Sequence, residues 1–227
     1  MNSPPCWGVW RECARALMPG GIACVVVGDA LRTVDGRFRL FPNHARVMHA
    51  FESLGFDMLP YILWKKPTNK PNAFLGSGFL PPNAYVTQDC EFVLILRKGG
   101  LRRFGAKDGR REASKYTKAE RDLWFSQVWD MKGARQGRGA GARRSAAFPA
   151  EVPRRLIRMF SVRGDLVLDP FAGTGTTLAL AAALGRRAVG YETDVSLRGE
   201  IERQVEEAGG RVTVLARASE RAPGTNR

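Results

Sequence analysis

The chain has 227 residues, 44% of them hydrophobic, with 36 Lys and Arg against 22 Asp and Glu. That length supports one α/β domain with at most a small appended subdomain, and an excess charge of +14 with a pI near 10.4 favours a polyanionic partner. An apolar run of about 18 residues is absent and no signal-peptide pattern opens the sequence, which argues against membrane and secreted classes.

Four cysteines (Cys6, Cys13, Cys24 and Cys90) stand alone with no CxxC or Cys/His spacing. They read as free thiols in a reducing cytoplasm rather than as a metal site.

Taken in order, Trp7–Leu17 reads as an amphipathic helix with Val9, Cys13 and Leu17 on one face, stopped by Pro19-Gly20-Gly21. Ile22–Val27 is a fully apolar strand ending at Gly28-Asp29. Phe41–Leu54 is expected to be a second helix with Val47, Phe51 and Leu54 inward. The two histidines, His44 and His49, are five apart and share no helix face well, so surface or capping roles outrank metal ligation. Asp57–Lys65 and Cys90–Leu96 read as strands that pair as an antiparallel edge. Between them, 67–87 is a loop rich in Pro, Gly and Asn whose aromatics (Phe74, Phe79, Tyr85) suggest a folded, functional segment.

The character changes after Lys98. From Arg97 to Arg144 there are fifteen Lys and Arg against five Asp and Glu, in glycine-rich runs interleaved with Tyr116, Trp124, Phe125 and Trp129. Such a segment supplies sequence-independent attraction for phosphates. Glu151–Phe160 follows as a helix with Val152, Leu156, Met159 and Phe160 inward.

The last third is organised by LVLDPFAGTGTT at 166–177. Leu166–Leu168 is a short buried strand ended by Asp169-Pro170. Phe171 follows, and Gly173 and Gly175 give a tight turn where a ligand can approach bare backbone. Thr176 and Thr177 open a helix through Leu184, and the strand Ala188–Tyr191 ends on Glu192. Strand, glycine turn, helix, strand and acid form half of a nucleotide-binding α/β fold, with the acid placed to accept both ribose hydroxyls. A helix over Val195–Ala208 and a last strand over Val212–Leu215 complete the reading, and 216–227 reads as a disordered tail.

The turn also rejects ligands. It has no P-loop lysine, Leu178 stands where a dinucleotide fingerprint needs a third glycine, and Asp169 would repel a pyrophosphate. An aromatic, a strand-end acid and small residues suit an adenosine with a cationic centre and no phosphate. S-adenosyl-L-methionine has that chemistry.

VLDPFAGTGTT resembles the cofactor motif of the amino-group DNA methyltransferases, which methylate cytosine N4 or adenine N6 in restriction-modification systems. The segment SAAFPAEVPRRLI at 145–157 is similar to the stretch that precedes that motif in the family, and GRRAVGYETD to its ribose-binding strand. The order (catalytic half, basic variable region, cofactor half) is similar to the permuted, beta subclass. The resemblance implies a three-layer α/β/α sandwich, Rossmann-like, mostly parallel with an antiparallel edge strand. The implied parts are a catalytic half at 1–98, a target-recognition insert at 99–144 and a cofactor-binding half at 145–215.

By the same resemblance, Ser3-Pro4-Pro5-Cys6 stands where the family has its catalytic tetrad, with Cys6 in place of the aromatic. An exocyclic amine needs acceptors that hold its N–H groups while nitrogen pyramidalises, and a hydroxyl and a proline-fixed carbonyl provide them. Phe148 and Pro149 would border the methionine end of the cofactor, and Asp169, Pro170, Phe171, Gly173, Gly175, Thr176, Thr177 and Glu192 would hold it. Asp29 falls near the site in the family, with a solvated turn acid as the equal alternative.

Lys65, Lys66, Arg102, Arg103, Arg135, Arg138, Arg143 and Arg144 are the candidate contacts to double-stranded DNA, and a homodimer stays open. The family also has a strand before the tetrad and usually some tens of residues between tetrad and next helix, so a truncated or mis-started sequence, or an excised disordered loop, is expected here. Rival readings are RNA or small-molecule methylation, a nucleic-acid-binding remnant without activity, and an NAD-dependent oxidoreductase.

Overall fold

The computed structural model of the chain describes residues 6–66, 77, 80–133 and 148–215. Two compact units follow one another, Met1–Val162 and Arg163–Arg227.

In the first unit a four-stranded sheet is built from β1 (Ile22–Val27), β4 (Phe56–Lys65), β5 (Cys90–Lys98) and β6 (Val128–Asp130), in the order β1-β5-β4-β6. The stretch EFVLIL in β5 is apolar throughout because both faces of the sheet are covered. Val93 and Ile95 face one core with Ile62, Trp64 and Trp129, closed by Val152 and Leu156 of α4 (Glu151–Phe160). Leu94 and Leu96 face the other, with Ala14 of α1 (Trp7–Ala16) and Phe51 of α2 (Asn43–Ser53). Helix, sheet and helix are thus layered within this unit.

Trp64 and Trp129 are fully buried, yet each indole N–H is satisfied, by Met131 O at 2.9 Å and Trp124 O at 3.0 Å. Truncating Trp64 to alanine would cost about 3–5 kcal/mol.

Several details differ from expectation. β4 and β5 pair antiparallel but hold the two inner positions of the sheet rather than its edge. Their register slips between Leu59 and Ile62, at Pro60, which has no N–H for the ladder. The buried face of α1 is Trp10, Ala14 and Leu17, not Val9 and Cys13. Phe41 does not begin α2. It ends a hairpin made of β2 (Ala30–Val34) and β3 (Arg37–Phe41), and Pro42 behind it disfavours a helical Phe41. The hairpin turns at Asp35 and Gly36, both at positive φ (51° and 70°), as a two-residue primed turn requires.

α3 (Lys118–Trp124) starts with a capping box between Thr117 and Glu120, and Glu120 also pairs with Arg158 of α4. All four cysteines are free, and burial pushes the Cys24 thiol up to about 12.

The second unit is β7 (Leu166–Asp169), α5 (Thr176–Ala183), β8 (Arg187–Gly190) and α6 (Arg198–Glu207), with β7 and β8 parallel. β8 approaches α5 closely at Gly190, where a Cβ would lie 2.7 Å from Leu178 Cδ1. Residues 212–215 form no strand, and the expected helix from Val195 begins as a single 3-10 turn before α6.

Candidate functional site

β7 delivers Asp169 to the start of the glycine turn, where its Oδ1 accepts the Phe171 N–H at 3.0 Å. The turn is stitched to β8 by Tyr191 N–H to Asp169 O (3.0 Å) and Ala172 N–H to Tyr191 O (2.9 Å). Gly173 and Gly175 take φ of 54° and 90°, left-handed values that cost a residue with a Cβ about 1–2 kcal/mol. Gly175 is also the residue before α5, and a Cβ there would sit 3.1 Å from Ile201 Cγ2 of α6. Thr176 and Thr177 supply the first amides of α5, which have no partner within the helix.

Glu192 sits just beyond β8 and clamps this loop. Its Oε2 accepts the Gly173 N–H at 2.8 Å, and its Oε1 accepts those of Thr193 (2.9 Å) and Asp194 (2.8 Å). A carboxylate has about four acceptor positions, so one remains on Oε2 for a ligand hydroxyl while the three amides hold the group still. Phe171 and Tyr191 flank the turn at 53% and 64% exposure. No ion pair neutralises Asp169 among the described residues. Negative charge, bare backbone and two exposed aromatic residues fit an adenosyl sulfonium and disfavour a phosphate.

In the first unit, Phe148 packs against the core and Pro149 O accepts the Val152 N–H at 3.0 Å, starting α4. Cys6 stands just ahead of α1, its carbonyl accepting the Trp10 N–H at 3.1 Å. Ser3, Pro4 and Pro5 lie outside the described residues, as do Arg135, Arg138, Arg143 and Arg144.

Of the remaining basic candidates, Lys65 is exposed at the end of β4 and Arg103 is exposed after β5. Lys66 is already engaged, paired with Glu91 and 4.1 Å from the centroid of Trp64. Arg102 lies over Phe104 at 4.5 Å.

The sequence did not disclose a polar cluster where β1 and β4 end and β5 begins. Asp29, its side chain only 5% exposed, holds His44 Nδ1 at 2.7 Å, and the His44 ring stacks on Phe92 at 3.9 Å. Asn43 donates to Gly28 O (3.0 Å) and Gln88 to Asp29 O (3.1 Å). Asp29 is therefore not a solvated turn acid. The clue was a strand-end acid close to a helix start, which carries no spacing rule. Among the described residues, no three His, Cys, Asp or Glu are grouped to hold a metal, and no helix is long and apolar enough to cross a membrane.

A Rossmann-like half-fold whose glycine turn is clamped by an acid belongs to the class of nucleoside-cofactor α/β proteins. Within that class, the family model described as DNA methylase, the N6/N4 methyltransferases, matches residues 5–201, and the chain belongs to that family.

Over 197 residues it is 61% identical to the type II methyltransferase M.MjaI of Methanocaldococcus jannaschii, covering 87% of this chain and 65% of that protein. It is 46% identical to the type II methyltransferase M.MthZI of Methanothermobacter thermautotrophicus over 204 residues, 88% of this chain and 58% of that one. The chain thus spans less than two thirds of the length of either relative. Among solved structures, TTHA0409 of Thermus thermophilus, assigned as a DNA modification methylase and crystallised with S-adenosyl-L-methionine, superposes with a TM-score of 0.72 at 38% identity. The match covers 89% of this chain and 75% of that one.

Proposed function

We propose that the chain carries the cofactor-binding and catalytic parts of a DNA methyltransferase that transfers a methyl group from S-adenosyl-L-methionine to an exocyclic amino group of duplex DNA. The observation that carries this reading is the Glu192 clamp on Gly173 at 2.8 Å, on a turn with no basic group for a phosphate. The complex of TTHA0409 with that cofactor supports the ligand.

Glu192 would accept a ribose hydroxyl on its remaining lone pair. Phe171 and Tyr191 would lie against the base, and Asp169 would favour the cationic end. Phe148 and Pro149 would border its methionine end. Bound there, the cofactor supplies an electrophilic methyl group.

The catalytic share falls to Ser3, Pro4, Pro5 and Cys6. The serine hydroxyl and the carbonyl between the prolines would accept the amine N–H groups of a base turned out of the helix, so that its nitrogen lone pair is freed for attack. Serine at the first position favours cytosine N4 over adenine N6. Double-stranded DNA would be held by exposed basic residues, Lys65 and Arg103 among them. Cys6, where the family has an aromatic, favours a second reading, a DNA-binding methyltransferase remnant that does not transfer.

Methyl transfer from labelled cofactor to mixed-sequence duplex DNA, followed by mass analysis of the nucleosides, decides between them. N4-methylcytosine or N6-methyladenine is the expected product. Cofactor and DNA binding without any methylated base, even in a longer chain carrying upstream sequence, would establish the remnant. Transfer to RNA alone would overturn both.

A further inference from the structure

The β2–β3 hairpin sorts its charge onto one side. In its ladder Ala30 faces Phe41, Arg32 faces Arg39 and Val34 faces Arg37. Residues directly opposite in an antiparallel pair share a face, and neighbours along a strand alternate. One face therefore presents Arg32, Arg37 and Arg39, and the other presents Leu31, Thr33, Phe38 and Leu40.

The second face is anchored, because the Phe38 ring stacks on Tyr85 with centroids 4.5 Å apart. On the arginine face all three guanidinium-bearing residues are exposed. At its base, Arg46 of α2 lies 5.7 Å from the centroid of Phe41.

This arrangement works against the hairpin's own stability. Like charges directly across a ladder repel, and Arg32 opposite Arg39 is such a pair. Among the described residues none of the three arginines is in an ion pair; Arg32 donates only to the neighbouring Leu31 carbonyl. A polyanion would relieve the repulsion. The major groove of B-DNA, about 12 Å wide, admits a two-stranded ribbon, and the arginine fork suits both a phosphate and the O6/N7 edge of guanine. The position agrees, since the hairpin leaves β1 at its carboxyl end, the edge at which β4 finishes in exposed Lys65.

We infer that β2–β3 is a DNA-contacting ribbon that lays its Arg32, Arg37 and Arg39 face in the major groove of the duplex substrate. This rests on the reading of the chain as a DNA methyltransferase and adds a second contact to the one expected of its basic 99–144 segment.

The test uses the full chain and a labelled mixed-sequence DNA duplex titrated between about 50 and 200 mM salt. In the triple variant Arg32→Gln, Arg37→Gln, Arg39→Gln, the slope of log affinity against log salt becomes shallower by about 2–3, near 0.9 per lost phosphate contact. Affinity at the lower salt falls at least tenfold. Affinity for duplex RNA, whose major groove is too deep and narrow for a ribbon, falls less. The thermal midpoint stays level or rises, because the opposed charges are gone.

Sidedness is read separately: Val34→Glu on the arginine face weakens binding and Thr33→Glu on the other face does not. Equal effects from the two faces would overturn the ribbon. So would a triple variant that binds like the parent while replacing Arg135, Arg138, Arg143 and Arg144 abolishes binding, which would leave the methyltransferase reading intact. A parent chain that binds no duplex DNA would sink both.

Discussion

The Asp29 carboxylate fastens His44 at the ring and at the main chain: Nδ1 lies 2.7 Å from Oδ2 and 2.8 Å from Oδ1, and the His44 N–H donates to Oδ1 at 3.1 Å. One acid thus caps the first turn of α2 and orients a ring stacked on Phe92. Because the carboxylate only accepts, Nδ1 is the donor in this pair. The pair ties the exit of β1 to the helix that covers the sheet, at the strand ends where α/β proteins place their ligands.

Asp29→Ala removes the cap and leaves a part-buried amide and imidazole without their acceptor. A loss of about 1–2 kcal/mol is expected in urea unfolding. Asp29→Asn keeps an acceptor for the His44 N–H and loses less. If the alanine variant unfolds at the parent's midpoint, the carboxylate does not hold α2 in place.

Glu192→Ala takes away the acceptor of three backbone amides and, on the proposed function, the ribose contact. A hydrogen bond to a charged group contributes about 1.5–3 kcal/mol, so affinity for S-adenosyl-L-methionine should fall between tenfold and about a hundredfold. Calorimetry on the folded variant measures it. Unchanged uptake would show that Glu192 shapes the turn without touching the ligand.

The parts that could be read directly from sequence were those with a local physical cause. Gly173 and Gly175 announce positive φ, EFVLIL announces a strand although not its inner place in the sheet, and AVGYE announces a strand that closes on an acid. What was missed depended on partners distant in the chain. The hairpin carried an Asp35-Gly36 turn signal, but three arginines masked the alternation expected of a half-buried strand. The Asp29–His44 pair joins residues 15 apart in the chain, a separation to which no local spacing rule applies. Residues 212–215 look like a strand by composition, yet β-propensity describes fitting a pleated surface, and among the described residues no strand pairs with them.

Gly190→Ala should destabilise the second unit by about 1–3 kcal/mol, the usual range for overpacking. The new Cβ would meet Leu178 Cδ1 at 2.7 Å and Ala172 Cβ at 3.0 Å, between β8 and the start of α5. Leu178 can rotate, but Ala172 cannot, so its stretch of turn must move. Gly175→Ala should be comparably costly for a second reason, since φ of 90° is added to a 3.1 Å approach to Ile201. Thermal melts of the two variants check both. A Gly190→Ala midpoint within a degree of the parent would show that the turn gives way freely.

Arg155 is a buried guanidinium, 7% exposed, whose counter-charge is Glu151 one helical turn earlier at 2.8 Å and whose face lies over Trp129 at 5.0 Å. Burial pushes the Glu151 carboxyl up, but its hydrogen bonds from Arg154 and Arg155 outweigh that and hold it below the usual glutamate range. A carboxyl whose folded value is depressed stabilises the fold fully above its unfolded value, about 4.3, and loses that contribution as pH falls through the folded one. Glu151→Gln should therefore cost about 1–3 kcal/mol at pH 7. That is less than for a fully buried pair, because the Glu151 side chain is 34% exposed. The gap between parent and variant should narrow steadily below about pH 4.3 as the parent's own carboxyl protonates. Other depressed carboxyls (Asp108, Glu120 and Glu200) titrate in the same direction in both proteins, so the difference between the two urea curves isolates Glu151. A gap that stays constant from pH 7 to pH 3 would show that glutamine's shape, and not the lost charge beside Arg155, causes the change.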